Sequence, residues 1–177
     1  GAAFRFKGSL DFSDLLSINA EFKKEDADFH RLEERLGTGD TEEYFSFQTG
    51  FNPDMFLPTK WGVKIPFKVN FTSLVKTPKY YPNQPDVVTQ TNLNSFVPDS
   101  IKTISETASF STSFSKTTKS DNWFIRSTFD KLSLNYSMIQ KNNSSVNIEK
   151  NIINNADLAL NYSYSFGRDN YISPFKK

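Results

Sequence analysis

Apolar residues recur at every second position in block after block of this chain. The clearest run is Gly62 to Leu74, where Val63, Ile65, Phe67, Val69 and Phe71 alternate with Lys64, Pro66, Lys68, Asn70 and Thr72. A strand sends successive side chains to opposite faces, so this period predicts one apolar face and one polar face. About seven such blocks can be read. They place Phe4 and Phe6 against Arg5 and Lys7, then Leu16, Ile18, Ala20 and Phe22 against Ser17, Asn19 and Glu21, then Phe45, Phe47, Thr49 and Phe51 against Ser46, Gln48 and Gly50. The Gly62 run is fourth. After it come Ala108, Phe110, Thr112 and Phe114, then Leu132, Leu134, Tyr136 and Met138, then Ala156 through Phe166. Repeated alternation of this kind predicts an antiparallel all-β chain.

The connections read less regularly. Residues 10–14, LDFSD, are expected to be a short turn. A long charged stretch follows the second block, with Phe29, Leu32 and Leu36 at helical spacing before Gly37 and Gly39, which predicts a short amphipathic helix on a loop. Residues 75–106 form the longest irregular stretch and hold four of the eight prolines, with Asp99 or Ser100 placed to cap a short helix. Residues 140–155 fit either a polar loop or two strands carried past the apolar region. Connections that alternate short and long are the expectation, as in outer-membrane barrels.

Composition narrows the function classes. The 177 residues are enough for one ordinary domain with its own core. Aromatics reach 15% of the chain, 18 of them Phe, yet mean hydropathy is −0.53, a combination that strands with one wet face reconcile. A net charge of +1 gives no basic footprint, so no nucleic-acid partner is expected. With no cysteine, disulfides and thiolate metal sites are excluded. No run of about 18 apolar residues occurs, so a membrane role would require strands rather than helices. The start at Gly1-Ala2-Ala3 suggests a processed product or a piece of a longer chain, treated as the single segment 1–177.

Candidate chemistry is sparse. His30 is the single histidine and lies in the charged stretch, where a solvent-facing role is expected. Glu25, Asp26, Asp28, Glu33, Glu34, Asp40, Glu42 and Glu43 cluster without the spacing or central glycine of a calcium loop, so a solvated loop is the expectation. Glycosylation-type patterns at Asn70, Asn135, Asn143 and Asn161 are unsurprising in a chain rich in Asn and Ser. No catalytic, cofactor or metal residue is assigned, and no enzyme activity is expected.

Whether the apolar face meets protein or lipid is left open by the two-residue period, which a soluble β-sandwich obeys equally. The Gly62–Leu74 run is long enough for a tilted membrane strand, which needs roughly 9 to 11 residues. Its lysines stay off the apolar face, where each would cost about 2–4 kcal/mol at mid-depth. Tyr44, Phe51, Trp61, Tyr80, Tyr81, Trp123 and Phe166 suit interfacial aromatic girdles. Blocks in this number, with ragged ends, suggest an arc of a larger barrel, since an open arc in lipid leaves backbone groups unpaired.

In order and spacing, LDFSDLLSINAEF, DFHRLEERL, LPTKWGVKIPFKVNFTSLVKTPKYYPNQPDV, DSIKTI, LSLNYSMIQKNN, LALNYSYSF and PFKK resemble a segment of the SprA/Sov family. These are giant outer-membrane gliding-motility and secretion proteins of Bacteroidota-type bacteria. The most specific piece is Gly62-Val63-x-Ile65-Pro66, followed by Pro78-Lys79-Tyr80 and Asp86. The resemblance implies antiparallel transmembrane β-barrel staves, an arc of a very large barrel with long loops carrying short helices, in the outer membrane of a Gram-negative cell. It implies a part in type IX secretion, moving folded cargo through the barrel, with the remainder of the barrel chain, a PorV-type lateral-gate protein, a periplasmic plug and the lipid bilayer as partners. Val63, Ile65, Phe67, Val69 and Phe71 would then face lipid, and Lys64, Lys68, Asn70 and Thr72 the lumen. Two other readings are carried: a fragment of another outer-membrane barrel, and a soluble β-sandwich adhesin or binding module.

Overall fold

A computed structural model describes residues 1–30, 37, 39–89 and 97–164. Its strands are β1 (Ala3–Phe12), β2 (Leu16–Glu25), β3 (Asp40–Phe51), β4 (Val63–Lys64), β5 (Phe67–Pro78), β6 (Tyr80–Tyr81), β7 (Gln84–Val88), β8 (Thr103–Lys116), β9 (Leu132–Ser145) and β10 (Ile148–Tyr162). The main sheet runs β1-β2-β3-β5-β8-β9-β10, every pairing antiparallel, with β4 attached to β8. β6 and β7 form a separate small hairpin. Among the described residues the sheet is open, with β1 and β10 at its edges.

Each of the seven long strands grows from one alternating block, because every block places β-favouring Phe, Leu, Ile, Val or Tyr on a single face. β1 is longer than expected. Leu10 and Phe12 belong to it, and the turn is 13–15, where Ser13 takes a φ of 51° and the Leu15 amide donates to the Phe12 carbonyl at 3.2 Å. Residues 140–155 are strands, joined by a turn at Val146 and Asn147.

The expected alternation of short and long connections does not hold. At the end of the sheet holding turn 13–15, here the lower end, the other connections are 52–66 and 117–131. At the upper end they are 26–39, 79–102 and the two-residue turn. Each end therefore has one tight turn and two long loops, so loop length does not distinguish the ends. The irregular stretch 75–106 is also shorter than expected, since β5 runs to Pro78 and the β6–β7 hairpin occupies part of the remainder. Asp99–Ile101 is a single 3-10 turn that follows Pro98, with no side-chain cap. The helix expected over Phe29, Leu32 and Leu36 falls largely outside the described residues, as does Phe166.

A core of its own, which the chain length permits, is missing from the described residues. Their buried apolar side chains are only Ala27 and Val97, and no large side chain is fully buried. Small domains stabilise themselves by packing a second layer against the apolar side of the first. Here the sheet is a single layer, and Phe6, Phe12, Leu158 and Leu160 are each more than half exposed.

Candidate functional site: a two-faced sheet and its lower rim

Directly paired residues share a face, so the registers assign every long strand. One face carries Phe4, Phe6, Leu10 and Phe12 of β1, Leu16 to Phe22 of β2 and Phe45 to Phe51 of β3 at alternate positions. It continues through Phe67, Val69 and Phe71 of β5, Ala108, Phe110 and Phe114 of β8, Leu132 to Met138 of β9 and Ala156 to Tyr162 of β10. Rings touch between neighbouring strands: Phe4 with Phe22 at 5.7 Å, and Phe45–Phe71, Phe67–Phe110 and Phe110–Tyr136 each at 6.1 Å between centroids.

The apolar residues form a band that crosses the strands obliquely. Lys24 pairs with Glu43 just above the band on β2 and β3, and Phe51 pairs with Phe67 at its lower edge. Carried along the pairing, the Phe51–Phe67 row becomes Thr112, Tyr136 and Leu158, which lie inside the band on β8, β9 and β10. There the band reaches lower, to Leu132 and Tyr162, and polar Gln140 and Asn154 already bound it from above. Val75 and Ile104 are paired apolar residues that sit above the band. Both boundaries fall by about four residues between β2 and β10, or roughly 0.8 residue per strand. With a rise of about 3.3 Å and a strand spacing of about 4.8 Å, this is a tilt of about 30° between strands and band normal. Membrane barrels tilt their strands by roughly 35–45°.

The opposite face is polar. On β1 to β5 it carries ion pairs: Arg5 with Glu21 at 2.6 Å and Lys76 with Glu42 at 2.6 Å, with Lys23 and Glu25 at 2.8 Å along β2. On β8 it is hydroxylated at every position, from Thr103 through Ser105, Thr107, Ser109, Ser111 and Ser113 to Ser115. Asn70 donates to Ser109 Oγ at 3.2 Å, and Ser105 donates to Asn143 Oδ1 at 2.8 Å. This hydroxyl track is legible in TISETASFSTSFS once the polar positions are read as carefully as the apolar ones.

Of the residues singled out in the central run, Phe67, Val69 and Phe71 lie on the apolar face and Lys68, Asn70 and Thr72 on the polar face. Val63 and Lys64 form β4, and Ile65 lies between the strands, its amide donating to Asp54 Oδ1 at 3.3 Å. The run is therefore broken at Ile65-Pro66 rather than continuous from Gly62. Lys64 pairs with Ser115 and Phe67 with Thr112, so the register passes through the break unshifted. Pro66 interrupts the ladder because it lacks an N–H, while its carbonyl still accepts from the Ser113 amide at 3.4 Å.

Other candidates also find places. His30 is exposed and its Nδ1 lies 3.2 Å from the Asp28 carbonyl. The acidic cluster is not simply a solvated loop, since Glu42 and Glu43 lie in β3 paired with Lys76 and Lys24, and Asp28 pairs with Lys79 at 2.6 Å. The hydrogen bond from Lys79 holds the Asp28 carboxyl below its usual range. Among the described residues no cluster suits a metal ion. Tyr44 sits on the polar face, so it does not join an apolar-side girdle. Tyr80 and Tyr81 belong to the upper hairpin.

Sequence reading singled out Trp61 and Trp123 as interfacial aromatics but missed the helix and the locks of the lower rim that hold them. Helix α1 (Trp123–Ser127) is capped by Asn122, whose Oδ1 accepts from the Phe124 amide at 2.9 Å. It presents Trp123 at 70% exposure and Phe124 at 55%, beside Phe129 and Trp61, all just below the band. Two locks hold the rim. The Thr117 amide donates to the Gly62 carbonyl at 2.8 Å and Thr118 Oγ1 to the Lys60 carbonyl at 3.1 Å, which joins loop 52–66 to loop 117–131. Asp130 accepts from Lys116, from the Ser120 amide at 2.6 Å and from Ser120 Oγ at 2.8 Å, with little of either charged side chain exposed. Burial opposes the Asp130 charge, but the hydrogen bonds from Lys116 and Ser120 outweigh it and hold the carboxyl below its usual range.

Comparison with known families decides the identity. A family model described as SprA N-terminal, motility related/secretion protein, matches residues 2–93, which include β1 through β7. The chain belongs to this family. SprA-type membership makes it a motility- and secretion-related protein, in agreement with the resemblance read from its motifs. No curated protein matches the chain.

Proposed function

We propose that this SprA-family chain forms part of the wall of a very large outer-membrane β-barrel, a protein-conducting translocon through which folded cargo passes in type IX secretion and gliding motility. The carrying observation is a single-layer sheet whose one face is a continuous apolar band that nothing among the described residues covers. A soluble sandwich needs a second layer on that face, and a bilayer supplies the cover without one. The oblique course of the band and the polar opposite face support the same reading.

In this reading Phe67, Val69 and Phe71 contact lipid, together with Val63 and Ile65 nearer the rim. Lys64, Lys68, Asn70 and Thr72 line the lumen with the β8 hydroxyl track. The wall conducts and excludes; it carries out no bond chemistry. The remainder of the barrel chain would pair with the β1 and β10 edges. A PorV-type gate protein, a plug and cargo are partners by family resemblance.

The test is a cysteine scan in the full-length protein, in a background without other reactive cysteines. This segment has none of its own. Single cysteines at 67 through 72 are treated with a water-soluble maleimide in intact membranes whose barrel lumen is open to solvent. Positions 68, 70 and 72 are expected to label and 67, 69 and 71 to resist. Labelling without a two-residue period sinks the proposal.

A further inference from the structure

The lower rim holds a cavity that wall formation alone does not require. Loops 52–66 and 117–131, with the end of β8, border an open cavity of about 530 Å³ at the foot of the apolar face. Trp61, Val63, Phe114, Ile125 and Phe129 give it apolar walls, and Phe114 is also a member of the band, so the cavity opens where the band ends. Lys60 and Lys119 border the space, are exposed, and form no ion pair among the described residues. Lys116 is neutralised by Asp130, and Asp121 is the one carboxylate in the lining. The lining therefore joins an apolar interior to an excess of positive charge at an edge where a bilayer changes from chain to headgroup.

We propose that this cavity binds an anionic phospholipid of the surrounding bilayer, with its phosphate between Lys60 and Lys119 and the start of an acyl chain against the apolar walls. The proposal rests on the reading of the apolar face as lipid-facing. Two features favour a lipid over a free phosphate. Most of the lining is hydrocarbon, which a bare anion does not use. The walls are also fixed in advance by the Gly62–Thr117 and Asp130–Ser120 locks, so little ordering cost opposes a weak, bilayer-delivered ligand. Trp61 at the cavity suits the headgroup level, where its amphipathic ring is most stable.

The experiment is native mass spectrometry of the full-length protein, released from nanodiscs containing phosphatidylglycerol or phosphatidylcholine with identical chains. Wild type is expected to retain phosphatidylglycerol in preference to phosphatidylcholine. Near an anionic surface each lysine contributes about fivefold in affinity, so Lys60→Gln with Lys119→Gln should weaken retention by about 25-fold. Asp121→Asn should strengthen it, and Lys79→Gln at the far end of the sheet should leave it unchanged. Equal retention by wild type and the double variant, or equal retention of the two lipids, overturns the site. Displacement of bound lipid by soluble glycerol phosphate also overturns it, in favour of a free-anion site. Assembly is scored separately: wild type that is monodisperse without lipid or detergent overturns the wall reading and the site together, whereas normal assembly with charge-independent retention overturns the site alone.

Discussion

Val69→Arg offers the sharpest test of which solvent covers the apolar face. Val69 lies between Thr49 of β3 and Phe110 of β8, near the middle of the band on β5, and is 38% exposed on the isolated sheet. An arginine on the lipid face costs about 2–4 kcal/mol at mid-depth and about 0–1 near the interface. Loss of the Val69–Phe110 cross-strand contact adds a few tenths, giving about 3 kcal/mol, or roughly a hundredfold in the folded-to-unfolded ratio. Phe67, one position nearer the rim, should cost less when changed to Arg, while Lys68→Arg, opposite Gly50 and Ser111 on the polar face, should cost almost nothing. The assay is the folded fraction of full-length protein in lipid vesicles, measured against urea by resistance to protease. The order Val69 above Phe67 above Lys68 is expected. Equal assembly of all three refutes the lipid-face assignment, and so does full-length wild type that stays monodisperse in buffer without detergent.

Three local predictions follow from the rim and the strand break. Gly62→Ala should loosen loop 52–66 by about 1 kcal/mol or more, since Gly62 has a φ of 58° and an added Cβ would lie 2.7 Å from the Thr118 nitrogen; faster hydrogen exchange at Thr117 would report it. Asp130→Asn should remove charge-assisted hydrogen bonds and destabilise loop 117–131 by about 2 kcal/mol, seen as protease cleavage there. Because the Asp130 carboxyl titrates below its usual range when folded, its contribution is present at neutral pH and lost on acidification below about 4; unchanged cleavage across that range would contradict the lock. Pro66→Ala should restore a donor opposite Ser113 and stabilise the β5–β8 ladder by about 0.5–1 kcal/mol, with slowed exchange of the Ser113 amide, which already donates to the carbonyl of residue 66, as the readout.

Strand identity was legible because it depends on a pattern within each segment. A face of Phe, Leu and Val backed by Lys, Asn and Ser announces itself at period two, and each of the seven blocks contributed to a long strand, the fourth only from Phe67 onward. Relations between segments were not legible. Leu10 and Phe12 looked like turn residues until pairing with Ile18 and Leu16 placed them in β1. Glu42 and Glu43 looked like loop acids because their lysine partners, Lys76 and Lys24, are distant in sequence. The Lys116–Asp130 lock crosses a loop with no local periodicity, so neither residue stood out. Pro66 is different: its missing donor is a property of one residue and can be read from the sequence, while the unshifted register needed the partner strand.

The band's drift and the open edges lead to a joint requirement on whatever completes the sheet. Along β1 all residues but Gly8 are exposed, as are all those of β10, so two long rows of backbone donors and acceptors have no partner within the described sheet. Soluble proteins blunt such edges with prolines, bulges or short strands. Here β1 has none of these and β10 has only a register irregularity near Ile148, far from its apolar end, although both strands carry charges, among them Arg5, Lys7, Glu149 and Lys150. Flanking strands would have to pair in a set register, because an apolar band that descends by about 0.8 residue per strand stays level in a bilayer only if its neighbours continue the same stagger. A strand added beyond β10 with no further stagger would leave its apolar residues about one position out of line, and an error repeated at each later strand would push whole side chains into the wrong layer. The edges therefore specify their neighbours by register as well as by chemistry, which suits one long chain pairing its strands in order better than chance association of separate sheets.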